Sequence, residues 1–328
     1  MRRRTFIAAA GVAVPVHLLA ALDDALVILP SPTAAPTTAN VTSRLARARA
    51  LFDSGDLPQL VALLPQVIAA AHANADDGVP DGHVRLAACY DLATEALNKI
   101  GRSTASRITA DRATAYARMS GSPIAMAAAA RSLGIVLRHE GRHRVADRVT
   151  LQAAATVEAT GLTTPAQAAT YAQMLCTCAY NAAQAGDRDR ALEMIIEAER
   201  AAARLPAHPA TGQPFVVTPA HVALYRVGVH WSLGDPGAAL HAGRDLHASQ
   251  FSTPERRGRL HTDLARAWWQ CGKPEQAAHA LLAAYQHAPG EIRERPSIRA
   301  IVTQLAARHP QVAGVRRLVA AVGYVSSH

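Results

Sequence analysis

The stretch QCGKPEQAAHALLAAYQHAP, residues 270–289, has a glycine as its third residue and then repeats small apolar residues at helical spacing. Ala277, Leu281, Ala284 and Ala288 step by three and four, which puts them on one side of a helix. Gly272 takes the turn conformation that other residues resist. The same arrangement recurs along the chain. Breaks occur at DSGD (53–56), KIGR (99–102), HEGR (139–142), QAGD (184–187), SLGD (232–235) and QCGK (270–273). Their glycines, at 55, 101, 141, 186, 234 and 272, lie 46, 40, 45, 48 and 38 residues apart. Apolar stripes flank them, as at Leu57, Leu60, Leu64, Val67 and Ala71, and again at Leu86, Tyr90, Ala93, Leu97 and Ile100. About six helix pairs follow, each able to bury its apolar face only by stacking on its neighbours.

Composition agrees. Half of the 328 residues are hydrophobic but only 4% are aromatic, and alanine dominates, as close-packed helices require. Val, Ile and Thr are scattered rather than alternating, so an all-α chain is expected. The formal charge of +9 is carried by arginine, with lysine only at Lys99 and Lys273. A basic balance favours acidic partners. These arginines are spread over many helices, however, and the clusters ERRGR (255–259) and EIRERPSIR (291–299) lack interleaved aromatics. They read as solvated helix surface. Of the four cysteines, none forms C-x-x-C, and Cys176 and Cys178 fall on different faces of a helix. With Cys89 and Cys271 they read as small core residues or free thiols, not as a disulfide frame or a zinc site.

In fine pattern the repeat resembles the tetratricopeptide motif, in which the turn glycine is followed by alanine five and twelve residues on and by proline seventeen on. Gly272 has Ala277, Ala284 and Pro289; Gly186 has Ala191 and Ala198; Gly141 has Ala146 and Ala153, preceded by Leu133-Gly134. Gly234 has Ala239 but Leu246 at the second place, and the pairs around Gly55 and Gly101 are degenerate. The resemblance implies a right-handed superhelical solenoid. Periods above the usual 34 call for longer helices or loops. It also implies which first-helix positions line the concave face: Asp91, Glu95, Asn98 and Lys99 in the second pair, and Arg131, Arg138 and His139 in the third. The fourth pair contributes Tyr180 and Gln184, and the sixth Arg259, Arg266 and Trp269. Such a groove suits an extended peptide with acidic side chains or a free carboxylate. Of the adjacent pair Trp268 and Trp269, one is expected in the core and the other toward the groove.

His139-Glu140-Gly141-Arg142-His143 spells H-E-x-x-H, the zinc-binding string of metallopeptidases. There both histidines must share one helix and face one metal. Here the turn glycine separates them. No histidine stands at the next spacing, where Val149 sits, and Glu158 belongs to the following helix, so no metal site, cofactor or catalytic residue is expected. Phosphate loops and nucleophile elbows are also missing.

Residues 1–22, MRRRTFIAAAGVAVPVHLLAAL, resemble a twin-arginine export signal, with an apolar stretch that stops at Asp23-Asp24. The stretch is short for a membrane span. From about Val41 the chain also resembles a family of actinobacterial transcriptional regulators that join a Cro/repressor-type helix-turn-helix domain to a tetratricopeptide-like region. RARALFDSGDLPQLVALLPQVIAAA (46–70), TPAHVALYRVGVHWSLGDPGAAL (218–240) and the stretch 255–302 carry that likeness, which spans roughly 41–305. The DNA-binding domain of that family has no room before Val41, so direct DNA binding is not expected. Residues 1–40 then read as a former interdomain connector, with an export signal as the alternative, and 41–328 as the helical repeat domain. The expected function is non-enzymatic: a protein- or peptide-binding module, cytoplasmic under the connector reading and exported or membrane-anchored under the other. Dimerisation of the chain would cap an exposed apolar end of the solenoid.

Overall fold

The computed structural model describes residues 14–31, 36–75, 79–206 and 214–323, so the twin-arginine-like residues 3–7 lie outside the described part. Among these residues there are sixteen α-helices and no strand. Helix α1 (Val16–Val27) precedes six pairs: α2 (Thr38–Ser54) with α3 (Leu57–Asn74), α4 (Pro80–Ile100) with α5 (Ser103–Met119), α6 (Pro123–His139) with α7 (His143–Glu158), α8 (Pro165–Gln184) with α9 (Arg188–Ala203), α10 (Pro219–Ser232) with α11 (Pro236–Gly243), and α12 (Pro254–Gln270) with α13 (Pro274–His287). Three short helices close the chain: α14 (Pro289–Arg293), α15 (Pro296–Arg308) and α16 (Val315–Ala321).

Every turn glycine identified from sequence sits between the two helices of a pair, and all six have positive φ, from 65° at Gly272 to 82° at Gly101. At Gly141 a Cβ would meet no atom within 4 Å, so glycine is required there by backbone conformation alone. The alanines five and twelve residues past the glycines are buried: Ala146, Ala191, Ala198, Ala277 and Ala284 have no exposed surface and Ala153 retains 8%. In the degenerate pairs the same places hold Leu60 and Val67, or Ser106 and Ala113, also buried. The long periods come from long helices, α4 having 21 residues and α8 20. Helix starts are fixed chemically. Ser122, Thr164, Thr218, Asp235 and Thr253 each accept a hydrogen bond from a first-turn backbone N–H, and a proline follows each of them. One element is shorter than expected. Helix α11 has eight residues and ends before Leu246, where a single 3-10 turn (Ala248–Gln250) leads on to α12.

Helix α1 is part of the core. Leu22, Ala25 and Leu26 are buried, and Val14, Leu22 and Leu26 join the cluster built by α2, α3 and α4. The helix runs through Asp23-Asp24 without stopping, and Asp23 pairs with Arg102 at 2.6 Å. No described helix is long and apolar enough to cross a membrane.

The first helices of successive pairs touch one another in order, α2 on α4, α4 on α6, α6 on α8, α8 on α10 and α10 on α12; α12 then returns to α2. The six thus close into a ring. At the closing seam the Gly55 turn lies against Ala288 and Gly290, and Pro296 against Gly101. Val14 donates its backbone N–H to Glu294 at 3.3 Å. A Cβ on Gly290 would come within 2.7 Å of the Gly55 carbonyl oxygen, a backbone atom with no side-chain freedom to yield. Gly290→Ala is therefore expected to cost about 1–3 kcal/mol, the range for overpacking. Urea unfolding checks it: the midpoint falls at unchanged slope. An unchanged midpoint would mean that the seam is not tightly packed.

Candidate functional site

The inner face of the ring is built by the first helices, and it is strongly polar. Alternation of small buried residues with long basic ones puts the charges inward: on α12, Gly258, Leu260, Ala265 and Ala267 are buried in packing while Arg259, Asp263 and Arg266 form an ionic group. Asp263 is 1% exposed and accepts from Arg259 Nε at 2.6 Å and from Arg266 at 2.7 Å. Arg266 also donates to Ser297 Oγ at 2.9 Å and lies over the Trp231 ring, 5.0 Å from its centroid. The Trp231 ring meets the Tyr180 ring edge-on at 6.2 Å. The guanidinium of Arg138 lies over the Tyr180 ring, 4.9 Å from its centroid, and donates to Asn181 Oδ1. Next along the ring, Glu95 accepts from Arg131 at 2.6 Å and from Arg49 at 2.8 Å. Arg131 reaches over the Phe215 ring at 5.9 Å, and Gln173 donates to the Tyr225 hydroxyl at 3.0 Å.

A second group fastens the seam. Lys99 on α4 pairs with Glu255 on α12 at 2.7 Å and with Glu291 on α14. Glu255 is also held by Arg256 at 3.4 Å, and Glu291 by Arg295 at 2.6 Å. Phe52 lies between two cations, Arg49 5.2 Å and Lys99 5.1 Å from its ring centroid.

The electrostatics follow from this crowding. Burial pushes the Glu95 carboxyl up, but Arg49 and Arg131 outweigh it and hold it at about 2. Glu291 is likewise brought to about 2, burial being overcome by Lys99 and Arg295. Glu255 is lowered too, Lys99 and Arg256 outweighing its burial. Asp91 moves the other way, to about 7, through burial and the neighbouring Glu95. Burial, with the like charges of Arg259 and Arg131, lowers Arg138 to about 10. Arg266 also falls to about 10, through burial and the nearby Arg295, against the pull of Asp263.

Of the residues placed on the concave face from sequence, Asp91, Glu95, Arg131, Arg138, Tyr180, Arg259 and Arg266 are brought together on the inner face, and Lys99 stands at the seam. The other four lie apart from them. Asn98 and His139 share a shallow depression with Gly101 and Glu140, Gln184 is exposed and donates to Ser232 Oγ at 2.7 Å, and Trp269 packs on the C-terminal helices with its ring edge-on to His309 at 6.0 Å. Trp268 joins the same C-terminal cluster, so neither tryptophan reaches the inner group. His139 ends α6 and His143 begins α7, so the H-E-x-x-H string is split between two helices.

Several inner residues had escaped the sequence reading: Arg49, Gln173, Tyr225, Trp231, Glu255, Asp263 and Glu291. The spacing Arg259-x-x-x-Asp263-x-x-Arg266 was a usable signal, since partners four and three apart share a helix face. The clusters 255–259 and 291–299 are not the solvated surface expected of them. Glu255 and Glu291 are buried, and Arg256, Arg259 and Arg295 turn inward to carboxylates, because α12 and α14 form the closing side of the ring.

No protein-family model matches the chain, and no curated protein does. Among solved structures it is similar to the apo form of RapI, at 10% identity and a TM-score of 0.52 over 80% of this chain and 84% of that one. It is also similar to the Rap conjugation gene regulator of the plasmid pLS20 in complex with the Phr* peptide, at 13% identity and a TM-score of 0.50 over 88% and 85% of the two chains. At such identities the likeness is one of fold, and the chain is an all-α, right-handed superhelical solenoid of the tetratricopeptide-like kind.

Proposed function

We propose that this chain is a non-enzymatic protein- or peptide-interaction module that holds an extended segment against its inner face. The observation that carries this reading is the convergence there of cations, amides and aromatic rings from α4, α6, α8, α10 and α12. A packed helical core does not need these groups, and peptide backbones and acidic side chains do. The Rap regulator of similar fold is in complex with a peptide. The resemblance of 46–70, 218–240 and 255–302 to actinobacterial regulators makes a sensor or effector role in transcription the finer form of the proposal. Burial of Leu22, Ala25 and Leu26 against α3 favours the connector reading of the N-terminal segment over a cleaved export signal, and with it a cytoplasmic site of action.

Selection of a displayed random-peptide library on the purified full chain tests the reading. Enriched peptides should lose binding at least tenfold on Tyr180→Ala, on the inner face, and keep it on Arg200→Ala, whose side chain is 68% exposed on the outside. No enrichment, or equal loss in both variants, rejects the inner face as the binding surface.

A further inference from the structure

The charges of the inner face do not balance. Each of four carboxylates is shared between two cations: Glu95 between Arg49 and Arg131, Glu255 between Lys99 and Arg256, Asp263 between Arg259 and Arg266, and Glu291 between Lys99 and Arg295. Arg138 has no carboxylate partner among the described residues, only the Asn181 oxygen and the Tyr180 ring. Two further acids stand near them: Asp53, close to Arg49, and Asp91, whose Oδ1 is buried without a partner and whose carboxyl is moved toward neutral form by burial and Glu95. Like charges held together away from bulk water repel strongly, and a protein retains them where an anion offsets the repulsion.

The geometry around Arg138 has the form of a receptor for such an anion. Arg138, Tyr180, Trp231 and Arg266 follow one another across α6, α8, α10 and α12 as guanidinium, ring, ring and guanidinium, at 4.9, 6.2 and 5.0 Å. The two rings meet edge to face with a guanidinium over each, and Arg259 lies beside Arg266 on the shared Asp263. Trp231 Nε1 is buried with no acceptor among the described residues. The Arg138 fork, with no carboxylate on it among the described residues, matches an incoming carboxylate, while Arg266 and Arg259, already bound to Asp263, add positive charge from across the rings.

We propose that Arg138, with Arg266 and Arg259 adding positive charge from across the Tyr180–Trp231 ring pair, forms an anion subsite that takes the side-chain carboxylates of an acidic peptide segment. The subsite deepens the peptide-binding reading given above and rests on it. Titration calorimetry on the full chain at low salt, with a blocked tetraglutamate peptide, a blocked tetraglutamine peptide and citrate, tests it. Tetraglutamate should bind and tetraglutamine should not. Arg138→Gln should weaken tetraglutamate at least tenfold, and Arg138→Lys, which keeps the charge without the fork, should fall between. In the free protein Arg138→Gln should leave the melting temperature unchanged or raised, because it removes a cation without a counter-charge. A lowered melting temperature would make Arg138 a structural residue and overturn the proposal. So would equal binding of tetraglutamate by Arg138→Gln, or binding of citrate without tetraglutamate. A neutral peptide from the library, bound at the inner face and indifferent to Arg138→Gln, would remove this subsite and leave the interaction reading standing. Failure of every peptide would remove both.

Discussion

Asp263→Ala should lower the unfolding free energy by about 3–5 kcal/mol, the cost of breaking a buried ion pair by deleting one partner. Asp263 is 1% exposed and is the shared carboxylate of Arg259 and Arg266, whose side chains are 24% and 9% exposed. Removing it leaves two guanidiniums facing each other, with Arg295 already close to Arg266. Arg266 keeps Ser297 Oγ and the Trp231 ring, which orient it without neutralising it. At the heat of unfolding usual for a chain of this size, the melting temperature falls on the order of 5 °C. Replacing the three residues together by apolar ones of similar volume should be far milder, because no charge is then left unpaired. Chemical denaturation followed by circular dichroism at 222 nm decides between outcomes. A loss under about 1 kcal/mol for Asp263→Ala would show that water already reaches these guanidiniums freely, contrary to the burial of this ion group.

Lys99→Met should cost about 3 kcal/mol at pH 7, at the low end for broken buried pairs, because Glu255 keeps Arg256 and Glu291 keeps Arg295. Its pH dependence is the diagnostic part. Both carboxyls lie below their ordinary value of 4.5 in the folded chain, Glu291 at about 2, with Lys99 the first of the charges that outweigh burial in each. A carboxyl lowered by folding stabilises the fold above its unfolded value, and loses that contribution as pH falls through the folded value. The gap between wild type and Lys99→Met should therefore be full above about pH 5 and shrink as pH falls from there toward 2. Hydrogen exchange would show where the loss falls: amides of α2, α4, α12 and α14 should lose protection before those of α8 and α9. A uniform, pH-independent loss would mean that Lys99 acts by packing on Phe52 rather than by charge.

The repeat was legible in the sequence because its signals are local. A turn glycine and an alanine five or twelve residues later belong to one helix pair, and the physics that selects them acts within that pair. Ala277 and Ala284 are buried for the reason their spacing implies. The inner face was partly legible by the same logic, since Arg131, Arg138, Arg259 and Arg266 occupy repeat positions that point inward. What stayed hidden depends on distant contacts. Glu255 and Glu291 sit in strings rich in arginine that look solvated until Lys99, more than 150 residues earlier, arrives between them. Helix α1 had the composition of a signal or a connector, and only its packing on α3 makes it a core element. Trp269 fitted the groove register of its repeat, but the C-terminal helices claim its ring. Helix α11 ends at Gly243, which passes so close to α12 that a Cβ there would come within 2.7 Å of the Leu264 side chain.

Closure of the six first helices into a ring changes how the molecule comes apart. A linear array of repeats has two free ends, and its outermost units open first and most often, each at little cost to the rest. Here the outermost units are each other's neighbours: neither can fray without parting the Gly55 turn from Gly290, and the last pair cannot without also pulling Glu255 from Lys99. Nearest-neighbour stability is thereby converted into a common fate: six pairs that would melt in succession are coupled into one cooperative unit.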